Sequence, residues 1–485
     1  MSMKSTAASK MVSSALRLAL IASVSVLLPA AAHAAGPGAP HLEGADLHLV
    51  WIIPFVGILL SIAVFPLVAP HFWHLHFGKV SAFWAIAFLG PFTAIYGISL
   101  AGFELLHVLF LEYIPFIILL GSLFTVAGGV RLRGKLTGTP VVNTGILLIG
   151  TLLASWMGTT GAAMLLIRPI LRANENRKHK VHTVVFFIFL VANVGGSLTP
   201  LGDPPLFLGF LKGVEFFWPT KEMLLPMIVV SSILLMVYFA LDSYFHKKEG
   251  DITPDHADEP DGLRLEGAVN ILLLAGVIGA VLLSGVWRPG VTFHLYHVPI
   301  DLQNVARDVL LILIALLSLK LTNNESRKEN GFNWFPIVEV GKLFAGIFIT
   351  IVPAIAILKA GQNGALSSVV DLVSSDGQPV NVMYFWITGL LSSFLDNAPT
   401  YLVFFNTAGG DATQLMGPLS ETLLAISAGA VFMGANTYIG NAPNFMVRAI
   451  AEERGVKMPS FFGYMGWSII FLMPIFALIT VLFFI

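Results

Sequence analysis

One stretch constrains this chain more than any other: Asn193-Val-Gly-Gly-Ser-Leu-Thr-Pro-Leu-Gly-Asp-Pro-Pro-Leu-Phe207. It follows an apolar run, Val181 to Val194, long enough to enter a bilayer but too short to cross it. Glycines, a threonine, three prolines and an aspartate then come together. Proline lacks a backbone donor and glycine loosens a helix, so a continuous helix cannot run through here. A broken helix in hydrocarbon exposes bare N–H and C=O groups, which are tolerated only when buried in protein or lining a wet cavity. An ionisable Asp203 at the break marks the place as functional.

The pattern recurs 238 positions later. Thr437-Tyr-Ile-Gly-Asn-Ala-Pro-Asn-Phe445 matches Thr199-Pro-Leu-Gly-Asp-Pro-Pro-Leu-Phe207 at Thr, Gly, Pro and Phe, with Asn441 facing Asp203. Upstream at the same offset, Ser155-Trp-Met-Gly-Thr-Thr-Gly-Ala-Ala163 aligns with Ser393-Phe-Leu-Asp-Asn-Ala-Pro-Thr-Tyr401, with little identity. Paired interrupted segments in two halves of a chain point to a transporter's binding site.

Composition sets the class. With 56% hydrophobic and 11% charged residues, the chain reads as an all-α polytopic membrane protein. The absence of cysteine excludes disulfides, thiolate metal sites and thiol catalysis. Residues 1–34 read as a signal peptide: Lys4, Lys10 and Arg17 precede a short apolar run, Leu18 to Leu28, and Ala32-His-Ala34 is a cleavage pattern.

Residues 47–245 form the first repeat. Spans are expected at Val50–Val68, Val80–Leu100 and Leu106–Ala127. A re-entrant hairpin follows over Asn143–Leu171, with its tip at Gly158–Gly161. The broken segment Val181–Lys212 and a closing span, Met223–Phe245, complete it. Residues 246–265 are a charged linker. Residues 266–485 repeat the order: spans Glu266–Val286, Val305–Leu321 and Ile337–Leu358, a hairpin at Tyr384–Thr407 with Asp396–Pro399 at its tip, a broken segment at Glu421–Glu453, and a closing span, Phe461–Ile485. Each half then crosses an odd number of times, so the two are inverted repeats. Starting the mature chain in the periplasm places most Lys and Arg on the cytoplasmic side, as the positive-inside rule requires. The linker is then cytoplasmic and the C-terminus periplasmic, in a bacterial inner membrane.

The hairpin tips and helix breaks would gather Thr159, Thr160, Asn193, Ser197, Thr199, Asp203, Asp396, Asn397, Thr400, Asn436, Thr437, Asn441 and Asn444. Hydroxyls, amides, freed carbonyls and two carboxylates are hard oxygen ligands, suited to Na⁺ and not to a transition metal. Two carboxylates in a low-dielectric site resist joint ionisation, so Asp203 and Asp396 could exchange a proton for Na⁺. Neutralising either is expected to abolish exchange. No Lys or Arg lies within a break or tip; Arg168 and Arg448 lie beyond them. Asp203 before Pro204 is also a helix-start pattern, compatible with either role. Glu112, with His107 nearby, lies inside an expected span as an interhelical group or proton relay.

With the hairpin and broken helix present twice, the chain resembles the ion transporter superfamily, which includes NhaD-type sodium/proton antiporters, arsenite permeases, citrate–metal symporters and sodium/dicarboxylate symporters. Ala154 to Ala163 and Leu198 to Phe207 look like bacterial sequences called sodium:proton antiporter or citrate transporter. The resemblance implies that Thr159, Thr160, Asp203, Asp396 and Thr437 bind and exchange Na⁺ and H⁺, and that the protein is a homodimer. In the dicarboxylate branch a Ser-Asn-Thr motif at each tip holds Na⁺ and a substrate carboxylate; here Gly158-Thr159-Thr160 and Asp396-Asn397-Ala398 stand instead.

The first expectation is therefore Na⁺/H⁺ antiport by alternating access, with a hairpin-bearing domain moving against a scaffold of the remaining spans. The alternative is cation- or proton-coupled uptake of citrate or a related carboxylate. No nucleophile–base pair, metal-ligand His spacing or nucleotide loop supports an enzyme. The expected partners are the lipid bilayer and small ions or a small organic anion, with no nucleic acid and no cofactor.

Overall fold

The computed structural model describes residues 40–250 and 264–485. The signal segment, and residues 251–263 of the charged linker, lie outside the described residues. In chain order come α1 (Ile53–Val68), α2 (Pro70–Val108), α3 (Ile114–Ala127), β1 (Arg131–Arg133), α4 (Pro140–Met157), α5 (Thr159–Ala173), α6 (Val181–Leu190), α7 (Pro204–Leu211) and α8 (Trp218–Glu249). Next are β2 (Arg264–Glu266), α9 (Val269–Val286), β3 (Thr292–Leu295), β4 (Val298–Asp301), α10 (Leu302–Leu321), α11 (Asn324–Glu329), α12 (Phe335–Thr350), α13 (Val352–Lys359) and α14 (Ser367–Val373). The chain ends with β5 (Ser374–Ser375), β6 (Gln378–Pro379), α15 (Asn381–Phe394), α16 (Asn397–Thr407), α17 (Ala412–Met416), α18 (Ser420–Met433), α19 (Ala442–Glu453) and α20 (Phe461–Phe483). Among the described residues, 8 helices are long and apolar enough to cross a membrane, or up to 9 with a bent pair counted as one span. The strands form only two-stranded ribbons. The protein is an all-α polytopic membrane protein.

Two expected spans differ in detail. No loop separates the second from the third. α2 runs on into a π-helical turn, Leu109–Tyr113, and then α3. The interruption lies instead at Gly97, whose φ of 86° a residue with a side chain rarely adopts. The expected plain span Ile337–Leu358 is bent by 43° between α12 and α13. Pro353, at the start of α13, supplies no backbone donor across that bend.

The described residues form two compact units. One comprises residues 40–126, Leu272–Leu321 and Gly331–Ser367. Within it α1, α2 and α12 pack together, and Ser81 Oγ and Tyr113 OH donate to the carbonyls of Lys342 and Gly341. The other comprises Ala127–Ile271, Thr322–Asn330 and Ser368–Ile485, and so holds both hairpins and both broken segments. It also holds α8 and α20, which the sequence reading assigned to the scaffold. The reason is burial: α8 packs on α4, α6 and the 3₁₀ turn Val194–Leu198, sealing Met223, Met227, Val230, Leu234 and Tyr238. Beyond His182 and Thr183 in its first turn, the helix α6 is apolar on every side and buried on every side, as such a composition requires.

A ribbon at the edge of this second unit pairs Arg131 with Glu266 and Arg133 with Arg264. Glu266 sits against Arg131 Nη1 (3.2 Å), Arg133 Nη1 (3.4 Å) and Ser326 Oγ (3.3 Å). Burial acts to raise its carboxyl, but Arg131 and the hydrogen bonds from Arg131, Arg133 and Ser326 together hold it below the ordinary value of 4.5. A depressed folded value stabilises above pH 4.5 and is lost as pH falls through the folded value. Comparing melting temperatures of wild type and Glu266→Gln should show a deficit of about 1 kcal/mol or less at neutral pH that closes in acid. A deficit that persists unchanged well below pH 4.5 would contradict this account of the ribbon.

Candidate ion and substrate site

The hairpin tip between α4 and α5 is a single residue. Gly158 takes φ 80° and ψ 147°, and α5 restarts at Thr159. In the first broken segment, α6 ends at Leu190, a 3₁₀ turn covers Val194–Leu198, and Thr199 and Asp203 are extended before α7 begins at Pro204. The freed backbone groups are met by side chains. Ser155 Oγ donates to Gly195 O (2.5 Å) and accepts from Leu198 N (2.9 Å). Thr199 Oγ1 donates to Ser155 O and accepts from Leu201 N (3.1 Å). Thr159 N donates to Gly202 O (2.9 Å), joining tip to break.

The second half repeats this scheme at the same offset. Thr437 Oγ1 donates to Ser393 O and accepts from Ile439 N (3.2 Å). Asn441 is extended like Asp203, and α19 begins beside it as α7 does beside Asp203. In both breaks two glycines approach closely: a Cβ on Gly202 would lie 2.1 Å from Gly196 O, and one on Gly440 would lie 2.5 Å from Gly434 O. The weak alignment of Ser155 with Ser393 therefore marks equivalent positions.

The two halves meet at Asp203, which is 1% exposed. Its Oδ1 accepts from Thr159 Oγ1 (3.2 Å) and Asn441 Nδ2 (3.0 Å), and its Oδ2 accepts from Asn397 Nδ2 (2.5 Å). One carboxylate thus joins both breaks and both hairpin tips. Asn193 braces the crossing. Its Nδ2 donates to Ile188 O (2.8 Å) and Asn444 Oδ1 (2.7 Å), and Asn444 Nδ2 in turn donates to Gly434 O (2.8 Å) and Thr437 O (2.9 Å). Four helices, α5, α7, α16 and α19, begin at or beside this set. Their N-terminal ends carry partial positive charge, which favours an anion. Asn397 Oδ1 is buried with no hydrogen-bond partner, and so is Asn436 Oδ1. Asp203 Oδ2, Thr159 Oγ1 and Asn397 Oδ1 are hard oxygens able to take a cation.

The other expected residues fall into three groups. Thr199, Thr437, Ser197 and Asn436 hold the breaks together: Ser197 Oγ donates to Val194 O (2.8 Å) and Asn436 Nδ2 to Ser393 Oγ (2.8 Å). Asp396 and Thr400 build the second tip. Asp396 is half-buried, and its Oδ1 accepts from Ala398 N (3.1 Å), capping α16. No hydrogen bond links its carboxylate to Asp203. Thr160 is half-buried, one position past Thr159. Asp203, despite the helix-start pattern before Pro204, makes no side-chain cap, whereas Asp396 caps its helix.

Two features lay beyond the sequence reading. Arg448, placed outside the break, folds back so that its guanidinium lies 4.5 Å from the ring centre of Tyr438, a buried residue of the second break. At the base of the first hairpin a second polar centre joins Asn143, Asn174, Arg177, His182, Asp242 and Glu249. Its only trace in the sequence is the pair His182 and Asp242, each set in an apolar run.

Known proteins add a class to this geometry. Uncharacterized transporters of Mycobacterium bovis and Mycobacterium tuberculosis are each 25% identical to the chain over 329 residues, covering 66% of this chain and 72% of theirs. Residues 44–484 match the profile of one family. The protein, a multi-pass membrane transport protein, belongs to the family described as "Putative citrate transport".

Proposed function

We propose that this protein is a cation-coupled secondary transporter of a citrate-class carboxylate, with Asp203 as the co-ion ligand. The observation that carries the reading is one buried carboxylate held only by neutral donors, where four helix N-termini begin. A cation bound by Asp203, Thr159 and Asn397 neutralises the site, and the helix N-terminal ends then accommodate the carboxylates of an anion. The family description supports a carboxylate cargo and moves this reading ahead of Na⁺/H⁺ antiport. We further propose that the two halves are inverted repeats in a bacterial inner membrane, alternately opening the site to each side.

A second reading, exchange of Na⁺ for H⁺ without an organic substrate, rests on the absence of any Lys or Arg hydrogen-bonded to Asp203 among the described residues. One assay separates the two. Proteoliposomes are given labelled citrate with an inward gradient of Na⁺, of H⁺, or of neither. Gradient-dependent citrate accumulation is the expected result. Collapse of a preset pH gradient by Na⁺, with no citrate uptake under any gradient, would replace this reading with antiport.

A further inference from the structure

The helices α5 and α19 both begin at the Asp203 site, α5 at Thr159 and α19 beside Asn441, and they pack against each other. Each carries arginine away from the site. Arg168 lies nine residues beyond Thr159, about 13 Å along a helix rising 1.5 Å per residue. It is half-buried, and its Nη1 is sealed from solvent with no hydrogen-bond partner. Its charged neighbours are Arg454 and Glu453, both exposed at the end of α19. Three other arginines of this unit each have an acceptor for at least part of the guanidinium: Arg172 donates to Leu132 O, Arg177 pairs with Asp242 and Glu249, and Arg448 pairs with Glu452. A guanidinium that keeps a desolvated N–H unmet, with Glu453 making no hydrogen bond to it, has room for a further acceptor. Its flat fork of donors fits a carboxylate in two-point contact, and a polycarboxylate could engage Arg454 as well.

We propose that Arg168 is a binding residue for a carboxylate of the transported anion, forming with Arg454 a second anion station remote from Asp203. Glu453 limits the net charge of the station, so that it holds the anion without trapping it. This rests on the carboxylate reading of the site, and its test is arranged so that the two can fail separately.

The chain has no cysteine, so Arg168→Cys creates a single thiol. In wild-type proteoliposomes citrate uptake is measured first, as the control on the parent reading. In Arg168→Cys the rate of thiol modification by a cationic thiosulfonate is measured with and without citrate, then with Na⁺ alone. Citrate should slow modification and Na⁺ alone should not. Uptake should show a KM raised roughly tenfold or more, from loss of a charge-assisted contact. Attaching the ammonium group should restore much of the loss, and Arg168→Lys should fall between. If wild type takes up citrate while Arg168→Cys has an unchanged KM and citrate does not slow its modification, the station is overturned and the parent reading stands. If wild type takes up no citrate and citrate gives no protection, both fall. Protection by chloride or sulfate equal to that by citrate would also overturn the assignment, leaving an unspecific anion contact.

Discussion

Asp203→Asn should abolish gradient-driven transport, with a loss of at least about 100-fold, while the protein still inserts and elutes as a folded species. The factor follows from losing a charged ligand whose hydrogen bonds and ion contact are each of order 1.5–3 kcal/mol. The substitution is nearly isosteric, so packing around Thr159, Gly196 and Asn441 survives. What changes is the donor balance. Both oxygens of Asp203 accept, from Thr159 and Asn441 on one side and from Asn397 on the other. An amide places an NH₂ against one of those donor groups and removes the charge that a co-ion needs. Asp396→Asn should behave differently. The carboxylate of Asp396 accepts from Ala398 N as a helix cap, and asparagine caps as well as aspartate does. Transport should therefore persist within a few-fold of wild type. This departs from the symmetric expectation that either aspartate is essential. Uptake by both variants, normalised to folded protein, checks the contrast. Normal uptake by Asp203→Asn would remove the site from the mechanism.

The contrast between these aspartates shows where sequence and structure part. The 238-residue recurrence located both breaks and both tips, because broken helices in hydrocarbon need glycine, proline and hydroxyl residues whatever else they do. Thr199 and Thr437 were legible for that reason, and each binds the carbonyl of the equivalent serine. Most of the element order was equally legible from hydropathy, except between the second and third expected spans, which no loop separates. Side-chain partnership was not. Asp203 sits beside a break and Asp396 at a hairpin tip, and each directly precedes a helix, so no local pattern says which one caps and which one turns inward. That depends on Asn441 and Asn397 arriving from positions about 200 residues away. The placement of α8 and α20 with the hairpins was hidden likewise, because a helix facing lipid and a helix facing a packed core share one composition. Arg168 and Arg448 lie beyond the tip and the break as expected, but no sequence pattern shows that the Arg448 guanidinium lies over the Tyr438 ring.

Asp242→Ala should be the most destabilising single change in the hairpin unit outside the Asp203 site, costing about 3–5 kcal/mol. Asp242 is 0% exposed. Its Oδ1 meets Arg177 Nη1 (2.6 Å) and His182 Nε2 (2.8 Å), and its Oδ2 accepts from Asn143 Nδ2 (2.9 Å). Asn143 and Asn174 donate to each other, and Arg177 also donates to Glu249 Oε2 (3.1 Å) and Gly138 O (3.1 Å). The first turn of α4, the end of α5, the start of α6 and the end of α8 are thereby tied at one carboxylate. Removing it leaves Arg177, whose Nη2 is already buried without a partner, with Glu249 as its remaining carboxylate, and leaves His182 and Asn143 short of an acceptor. The desolvation cost of the under-compensated cation and the orphaned donors, rather than the lost attraction, dominates the loss. Removing the whole charge cluster should therefore be milder than removing one member: Arg177→Met with Asp242→Leu and Glu249→Gln should recover most of the melting temperature in detergent. A triple variant no more stable than Asp242→Ala would show that the network, not the under-compensated charge, carries the energy. The cluster lies at the base of the hairpin whose tip presents Thr159 to Asp203. Surviving Asp242→Ala protein should thus bind substrate more weakly if the base positions the tip, and with unchanged affinity if the cluster only adds stability.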